Sequence, residues 1–434
     1  MAADARPGRR SREALTDTIY ALSSGAPPAG VAVVRISGPG ARSALEALAG
    51  SIPEPRRATL RTLSWQGEML DRALILFFPG PASATGEDVA ELHLHGGRAI
   101  VAAVRGALAA LRGLREAAPG EFTRRAFEHG RIDLAEAEGL ADLVEAETEA
   151  QRRAALALAG GALSRQVEAW RARVLALAAQ VEAALDFSDE GDVGDPLAGF
   201  DTARAGLGEE IAAGLARPSA ERLKDGIRVV IAGPPNAGKS SLFNALVGRD
   251  AAIVTPAAGT TRDVIEAPVA IAGTAFVLVD TAGLRETGDA VEAIGVDRAR
   301  SSADRADILL WLGHAEEKPR DAILVHTKAD LGPASAKADV AVSVVTGEGL
   351  DELTGLLGER ASQLLVFDGE VALNARHREA LAEVAAALRD ADASDPLIIA
   401  EALRLARLAL DRITGRAGVE DMLDALFGRF CIGK

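Results

Sequence analysis

The sequence predicts a multidomain protein: an α+β N-terminal domain, an all-α helical domain that is discontinuous along the chain, and an α/β domain inserted between the two helical halves. Three observations predict it. The stretch Gly233-Pro-Pro-Asn-Ala-Gly-Lys-Ser240 follows the mostly apolar run Ile227 to Ala232 and opens a helix-like segment, Ser241 to Val247, in the order strand, phosphate loop, helix. Apolar residues recur at helical spacing before this stretch, in Val167, Trp170, Val174, Leu177, Val181 and Leu185. They recur again after it, in Ile399, Leu403, Ala406, Leu410 and Ile413, where Gly415 stops the pattern. That last segment is too short to bury its stripe alone, so it packs on the earlier helices and makes the α/β domain an insertion.

The elements follow in order. Residues 1–16 read as a disordered tail, because the Arg-rich start, Arg6 to Arg12, is not followed by a long amphipathic, acid-poor segment of the targeting kind. In 17–131 short apolar runs alternate with turns: Gly30 to Ile36, Ala73 to Phe78 and Val89 to Leu94 as strands, Ala41 to Leu48 and Ala99 to Leu111 as helices. In 132–224, the first helical part, Asp133 is placed to cap a helix with Leu134, Ala137, Leu140, Ala141 and Val144 on one face. The α/β domain spans 225–366, and 367–434 completes the helical domain. A length of 434 residues suits about two to four such domains.

Within the inserted domain the motifs come in the order of a P-loop nucleotide hydrolase of the Ras-like kind. Backbone N–H groups from Asn236 to Ser241 wrap phosphates, Lys239 reaches the terminal ones, and the Ser240 hydroxyl ligates magnesium. Gly259-Thr-Thr-Arg-Asp263 is placed as a first switch, in which Thr261 meets magnesium and the γ-phosphate. Asp280-Thr-Ala-Gly283 ends the strand Phe276 to Val279, so that Asp280 holds the metal through water and the Gly283 N–H meets the γ-phosphate; Thr281 and Ala282 lie between. After the strand Ile323 to His326 comes Thr327-Lys328-Ala329-Asp330, where Asp330 accepts two hydrogen bonds from guanine's N1–H and exocyclic amine. Adenine lacks that donor pair, so GTP is favoured and a P-loop ATPase is the lesser alternative. Ser343-Val344-Val345 stands where a last base-contacting loop is expected.

Several details depart from the common pattern. Thr327 replaces the usual Asn and Val344 the usual Ala. Only Gly313 to Ala322 separate the strands Ile308 to Leu312 and Ile323 to His326, so the crossover helix is expected to shrink to about one turn. Leu284 follows Gly283 where Ras-like proteins carry a water-orienting Gln, and its side chain neither donates nor accepts. Glu292, in the acidic segment Glu286 to Glu292, is the candidate general base, although the residues alone also read as a solvated acidic loop.

Composition narrows the classes. A single Cys argues against a disulfide scaffold and suits a reducing, cytoplasmic setting, and no apolar run approaches a membrane span. A net charge of −15 excludes bulk electrostatic attraction to nucleic acid, so any RNA contact is local or shared with a partner. Arg124, Arg125, Arg131, Arg152 and Arg153 are the basic-patch candidates, with ordinary solvated faces as the competing reading. His93 and His95, two apart on a presumed strand, face one way, but no third metal ligand accompanies them. Cys431 reads either as a nucleophile or as a small buried apolar residue.

The chain resembles the MnmE (TrmE) family of tRNA-modifying GTPases nearly end to end. The resemblance rests on Asp17-Thr-Ile19, Val34-Arg-Ile-Ser-Gly-Pro39, Thr85-Gly-Glu-Asp-Val89, His95-Gly-Gly97, Pro119-Gly-Glu-Phe-Thr123, Ile132-Asp-Leu134, the nucleotide motifs and the terminal Phe430-Cys-Ile-Gly-Lys434. It implies a homodimer paired through its N-terminal domains, working with an FAD-dependent partner, MnmG (GidA), in a heterotetramer or larger complex. Together they add an aminomethyl or carboxymethylaminomethyl group to C5 of the wobble uridine of certain tRNAs, with carbon from 5-formyltetrahydrofolate or a related tetrahydrofolate. Matching positions put the folate contacts at Arg35, Glu91, Arg131 and Lys434, with Arg131 where Lys is common, and set Cys431 beside that region. Without the resemblance Arg35 and Glu91 are an ordinary surface ion pair. The resemblance further implies that G domains meet across the nucleotide and that potassium replaces an arginine finger. Its ligands are Asn236 and backbone oxygens of the loop Thr255, Pro256, Ala257, Ala258, Gly259 and Thr260, chiefly Thr255, Ala257 and Thr260. Glu292 falls on the family's water-orienting glutamate. A GTP-dependent assembly switch without tRNA chemistry of its own is the alternative function.

Overall fold

The computed structural model describes residues 17–186, 197–216, 220–250, 265–280, 306–332, 336–365, 372–391, 395–417, 420–428 and 430–433. The chain divides into two compact units, 1–141 with 414–434, and 142–413. Among the described residues no helix is long and apolar enough to cross a membrane.

In the first unit, β1 (Thr18–Leu22), β2 (Ala29–Ser37), α1 (Ala41–Ala49), β3 (Thr59–Trp65), β4 (Glu68–Phe78), β5 (Val89–Gly96), α2 (Arg98–Ala109), β6 (Leu114–Glu116), α3 (Glu121–Glu128) and α4 (Leu134–Glu145) follow one another. The strands form one sheet in the order β3-β4-β5-β2-β1-β6, antiparallel except for β1 against β6. Alternation decides the two faces. Val34, Ile36, Ile75, Leu92 and Leu94 point into a core shared with Leu45 and Leu48 of α1 and Val104 and Leu108 of α2. The opposite face carries Ile19 and Ala21, packed against Phe122 of α3, and then the cross-strand pair Arg35 and Glu91.

The Asp133 carboxylate accepts from Glu136 N at 2.9 Å and the Glu136 carboxylate accepts from Asp133 N at 2.8 Å, a reciprocal cap that starts α4. Leu134, Ala137 and Ala141 then bury against Leu423, Phe427 and Phe430, contributed by α13 (Glu420–Phe427) and the tail that follows it. Val144, expected on this buried stripe, is instead 46% exposed, beyond the cluster that Leu134, Ala137 and Ala141 form.

The second unit joins helices from both sides of the nucleotide motifs. These are α5 (Glu149–Ala159), α6 (Ala162–Asp186), α7 (Phe200–Ala216) and α8 (Ala220–Lys224), then α11 (Ala375–Asp390) and α12 (Pro396–Thr414). Arg171 of α6 pairs with Asp411 of α12 at 2.7 Å, while Arg204 of α7 donates to the Leu388 carbonyl of α11 and Arg378 of α11 to the Leu215 carbonyl. The helical part is therefore discontinuous in sequence. Between its halves run β7 (Ile227–Ala232), α9 (Lys239–Asp250), β8 (Ile265–Ile271), β9 (Thr274–Asp280), β10 (Ile308–Trp311), β11 (Ile323–Thr327), β12 (Val340–Val342) and α10 (Leu350–Leu364). Their sheet has the order β12-β11-β10-β7-β9-β8, parallel but for β8. The crossover from β10 to β11 contains only the 3-10 turn Ala315–Glu317, as its short span requires. Lys318 holds that trimmed crossover to Asp339 at 3.0 Å.

Candidate functional site

The described nucleotide motifs converge where doubly wound sheets bind ligands, at the carboxyl ends of the parallel strands around the central β7. The loop Gly233 to Gly238 leaves β7 and turns into α9 through three positive-φ residues, Gly233 (153°), Asn236 (62°) and Gly238 (92°). Asn tolerates that region better than most side-chain-bearing residues. At Gly233 an added Cβ would stand 3.1 Å from Leu312, so the loop also needs the missing side chain there. Ala237 is half-buried, while Ser240 and Ser241 are exposed on the first turn of α9.

Lys239 is buried, and its ammonium donates to the carbonyls of Gly233 at 2.9 Å and Pro234 at 2.8 Å. Asp280, 2% exposed, ends β9 in register with Ile231 of β7, which puts the carboxylate at the phosphate-loop end of the sheet. Thr327 donates to the Ala237 carbonyl at 2.6 Å, and Lys328 to the Asn236 carbonyl at 3.0 Å. Ala329 begins the short turn that carries Asp330. The fully buried Ser343 hydroxyl donates to the Asp330 carboxylate at 2.6 Å and accepts from Thr346 N at 3.2 Å, which orients the carboxylate. Val344 is half-buried and Val345 85% exposed. Thr255, Pro256, Ala257, Ala258, Gly259, Thr260, Thr261, Thr281, Ala282, Gly283, Glu292 and Lys434 lie outside the described residues.

A second polar group occupies the other face of the N-terminal sheet. Arg35 donates twice to Glu91 Oε1, at 3.0 and 2.9 Å, with its guanidinium 5.8 Å from the Phe122 ring. His93 stands 3.3 Å from the other Glu91 oxygen. The C-terminal tail docks on the same unit: Ile432 bridges to Pro119, and the Gly433 carbonyl accepts from Ser23 at 2.8 Å. Arg131 donates to the Ser83 carbonyl at 3.1 Å. The structure thus gathers Arg35, Glu91 and Arg131 in one unit with the tail segment that leads to Lys434.

Several expectations are corrected. Cys431 is exposed, not a small buried residue, because Phe430 and Gly433 anchor the tail on either side of it. Four of the five basic-patch arginines have carboxylate partners. Arg124 pairs with Glu128 and Asp424, Arg152 and Arg153 both pair with Glu149, and Arg125 is almost fully buried. Glu149 between its two arginines is pulled down to about 2. His95 is bound to Asp71 at 2.7 Å, and among the described residues no group of three His, Cys, Asp or Glu side chains could hold a metal.

What sequence reasoning missed is the role of Arg125. Its guanidinium donates to the Asp17 carbonyl and carboxylate, to both Glu87 oxygens and to Glu121. Ser37 donates to Glu87 at 2.6 Å and meets Thr85 at 2.7 Å. Burial would raise the Glu121 carboxyl, but Arg115, the Ala118 N–H and Arg125 outweigh it and hold the group below its ordinary value. The i, i+4 spacing of Glu121 and Arg125 was the only local signal.

Two family models match the chain: GTP-binding protein TrmE N-terminus over residues 18–131, and MnmE helical domain over residues 134–431. The tRNA modification GTPase MnmE of Rhizorhabdus wittichii is 61% identical over 426 residues, spanning 96% of this chain and 97% of the relative. That of Erythrobacter litoralis is 58% identical over 423 residues, spanning 96% of this chain and all of the relative. Among solved structures, the G domain of the T. maritima FeoB iron transporter aligns with 28% identity over 31% of this chain and 98% of its own, with a TM-score of 0.23. On the near full-length identity of its relatives and the match of the helical model, this chain belongs to the MnmE family of tRNA modification GTPases.

Proposed function

We propose that this chain hydrolyses GTP at the loop Gly233 to Ser240 and couples the cycle to modification of a tRNA wobble uridine. The observation that carries the GTP reading is the joining of a phosphate loop to a base-reading loop, through Thr327 and Lys328, beside an Asp330 carboxylate oriented by Ser343. Two oriented carboxylate oxygens suit guanine's paired donors, and burying an unmatched adenine edge against them is costly.

Magnesium fits the oxygen donors, with Ser240 on the first turn of α9 and Asp280 at the same sheet end; Thr261 would complete its protein contacts. When bound, it neutralises phosphate charge. Asn236, exposed on its left-handed turn, would offer potassium a side-chain oxygen, and Thr255, Ala257 and Thr260 would be its further oxygen donors. Lys239 leaves the Gly233 and Pro234 carbonyls for phosphate oxygens, and Glu292 orients the attacking water that Leu284 has no means to hold.

The domain assignment we propose is 17–131 for a folate-binding domain, 132–224 and 367–434 for the helical domain and 225–366 for the G domain. The Arg35 and Glu91 row suits a tetrahydrofolate: Glu91 would accept from a pterin's amide and amino edge, while Arg35, Arg131 and Lys434 would supply cations for the glutamate tail. The folate would supply the one-carbon unit. Exposed Cys431 is available to that chemistry. A homodimer working with an MnmG-type FAD protein and tRNA completes the reading.

The test is GTP turnover by the full chain in potassium against sodium at matched ionic strength. Strong potassium stimulation supports the Asn236 ion site and G-domain pairing. Equal slow rates remove the potassium assignment and leave folate binding to be tested by titration with 5-formyltetrahydrofolate.

A further inference from the structure

We propose that Ser83, tied to the buried Glu87 and Arg125 pair, is a positioning residue that presets Arg131 as the receptor for one ligand carboxylate. This rests on the folate reading of the N-terminal unit and assigns the glutamate end of that ligand. The turn between β4 and β5 is gripped twice by one segment. Arg125 of α3 donates to both Glu87 carboxylate oxygens at 3.1 Å, and Arg131, just beyond α3, donates through Nε to the Ser83 carbonyl at 3.1 Å. Within the turn the Ser83 hydroxyl, on a residue 5% exposed, donates to the Glu87 carbonyl and so joins the two grips. At Gly86, with a φ of 83°, an added Cβ would stand 2.7 Å from His129 Cβ and 3.4 Å from Arg131 Cγ. The stem of Arg131 therefore lies close against the turn.

The direction of these bonds decides what Arg131 can do. A guanidinium carries N–H donors on Nε and on both terminal nitrogens. The Nε donor is used on Ser83, and among the described residues the terminal nitrogens of Arg131 have no partner. They form a fork of fixed direction, which suits the two oxygens of a carboxylate. Arg35 is placed differently, because its Nε and one terminal nitrogen both end on Glu91 Oε1. Of these two arginines, Arg131 is the one whose fork is open to a glutamate tail. A lysine there would share one nitrogen between the turn and the ligand, whereas arginine divides the two tasks between separate nitrogens.

The experiment is calorimetric titration of the full chain with 5-formyltetrahydrofolate and with 5-formyltetrahydropteroate, which lacks the glutamate. The proteins are wild type, Ser83→Ala, Ser83→Thr, Arg131→Ala and the double variant Ser83→Ala with Arg131→Ala. Folate affinity is expected to fall about three- to tenfold in Ser83→Ala, equivalent to one net hydrogen bond, and to stay at the wild-type value in Ser83→Thr, which keeps the hydroxyl. It should be no lower in the double variant than in Arg131→Ala, since Ser83 acts through Arg131. Pteroate affinity should be the same in wild type and Ser83→Ala. Equal losses for both ligands in Ser83→Ala would mean a general loosening of the turn and overturn the proposal, as would additive losses in the double variant or unchanged folate affinity in Ser83→Ala. Wild-type protein that binds both ligands equally overturns the carboxylate role and leaves the folate reading in place. Wild type that binds neither overturns that reading, and this proposal with it.

Discussion

Replacing Arg125 by Met tests the buried ion network of the N-terminal unit most directly. The guanidinium, 3% exposed, serves three carboxylates, and their remaining partners set the magnitude. Asp17 and Glu121 both keep Arg115, and Glu121 also keeps the Ala118 N–H, so neither is stranded. Glu87, 8% exposed, keeps the Ser37 hydroxyl as its side-chain donor. Breaking a buried ion pair costs about 3–5 kcal/mol when one charge is left unpaired. With a single carboxylate in that position the expected loss is about 3 kcal/mol, well below a sum over all the lost bonds. Adding Glu87→Gln removes the stranded charge, and about 1–2 kcal/mol should return. Trp65, packed on the N-terminal core, reports unfolding of this unit in urea once Trp170 and Trp311 are replaced by Phe. A loss under about 1 kcal/mol, or no recovery in the double variant, refutes the account.

Three further outcomes follow from the same geometry. Gly415→Ala forces a Cβ into the left-handed region at a φ of 79° and to within 2.8 Å of the Phe127 ring and 2.9 Å of Leu134, so a loss of about 2–4 kcal/mol is expected by urea unfolding. Glu121 has a folded pKa lowered from its ordinary 4.5, so its contribution is complete above that value and is lost as pH falls through the lower folded one. Thermal melts from pH 6 downward should therefore be flatter below pH 4.5 in Glu121→Gln than in wild type. Glu292→Ala should lower GTP turnover by about a hundredfold or more while nucleotide binding persists, measured as phosphate release beside a binding titration; near-normal turnover removes its water-orienting role.

The legible parts of this fold are those that local spacing specifies. A phosphate loop must follow a strand and open a helix, and a buried helix face must recur every three or four residues, so β7, α9, α6 and α12 stand out in sequence. The ten residues from Gly313 to Ala322 set their own limit, and a single 3-10 turn fits it. The edge strand β3 is harder to see, because in Thr59–Trp65 only Leu63 is buried and the alternation has no second member. β6 is three residues long and carries no period at all. The exposure of Val144 is likewise not encoded in the spacing of α4, which places it on the apolar stripe.

The sites divide by the same rule. Asp330 and Lys239 are readable because their chemistry is tied to a motif, whereas Arg125 takes its meaning from Asp17, 108 residues away, and Glu87, 38 residues away. Arginines that look like a nucleic-acid surface in a linear reading are drawn into carboxylate pairs once the chain closes on itself. That outcome bears on function. With a net charge of −15, and with Arg124 and Arg125 held by carboxylates while Arg152 and Arg153 share the one carboxylate of Glu149, these residues offer only local positive charge to a tRNA backbone. On the function proposed above, recognition of a tRNA would then rest on a few local contacts or be shared with a partner, because the chain's overall charge repels the phosphate backbone.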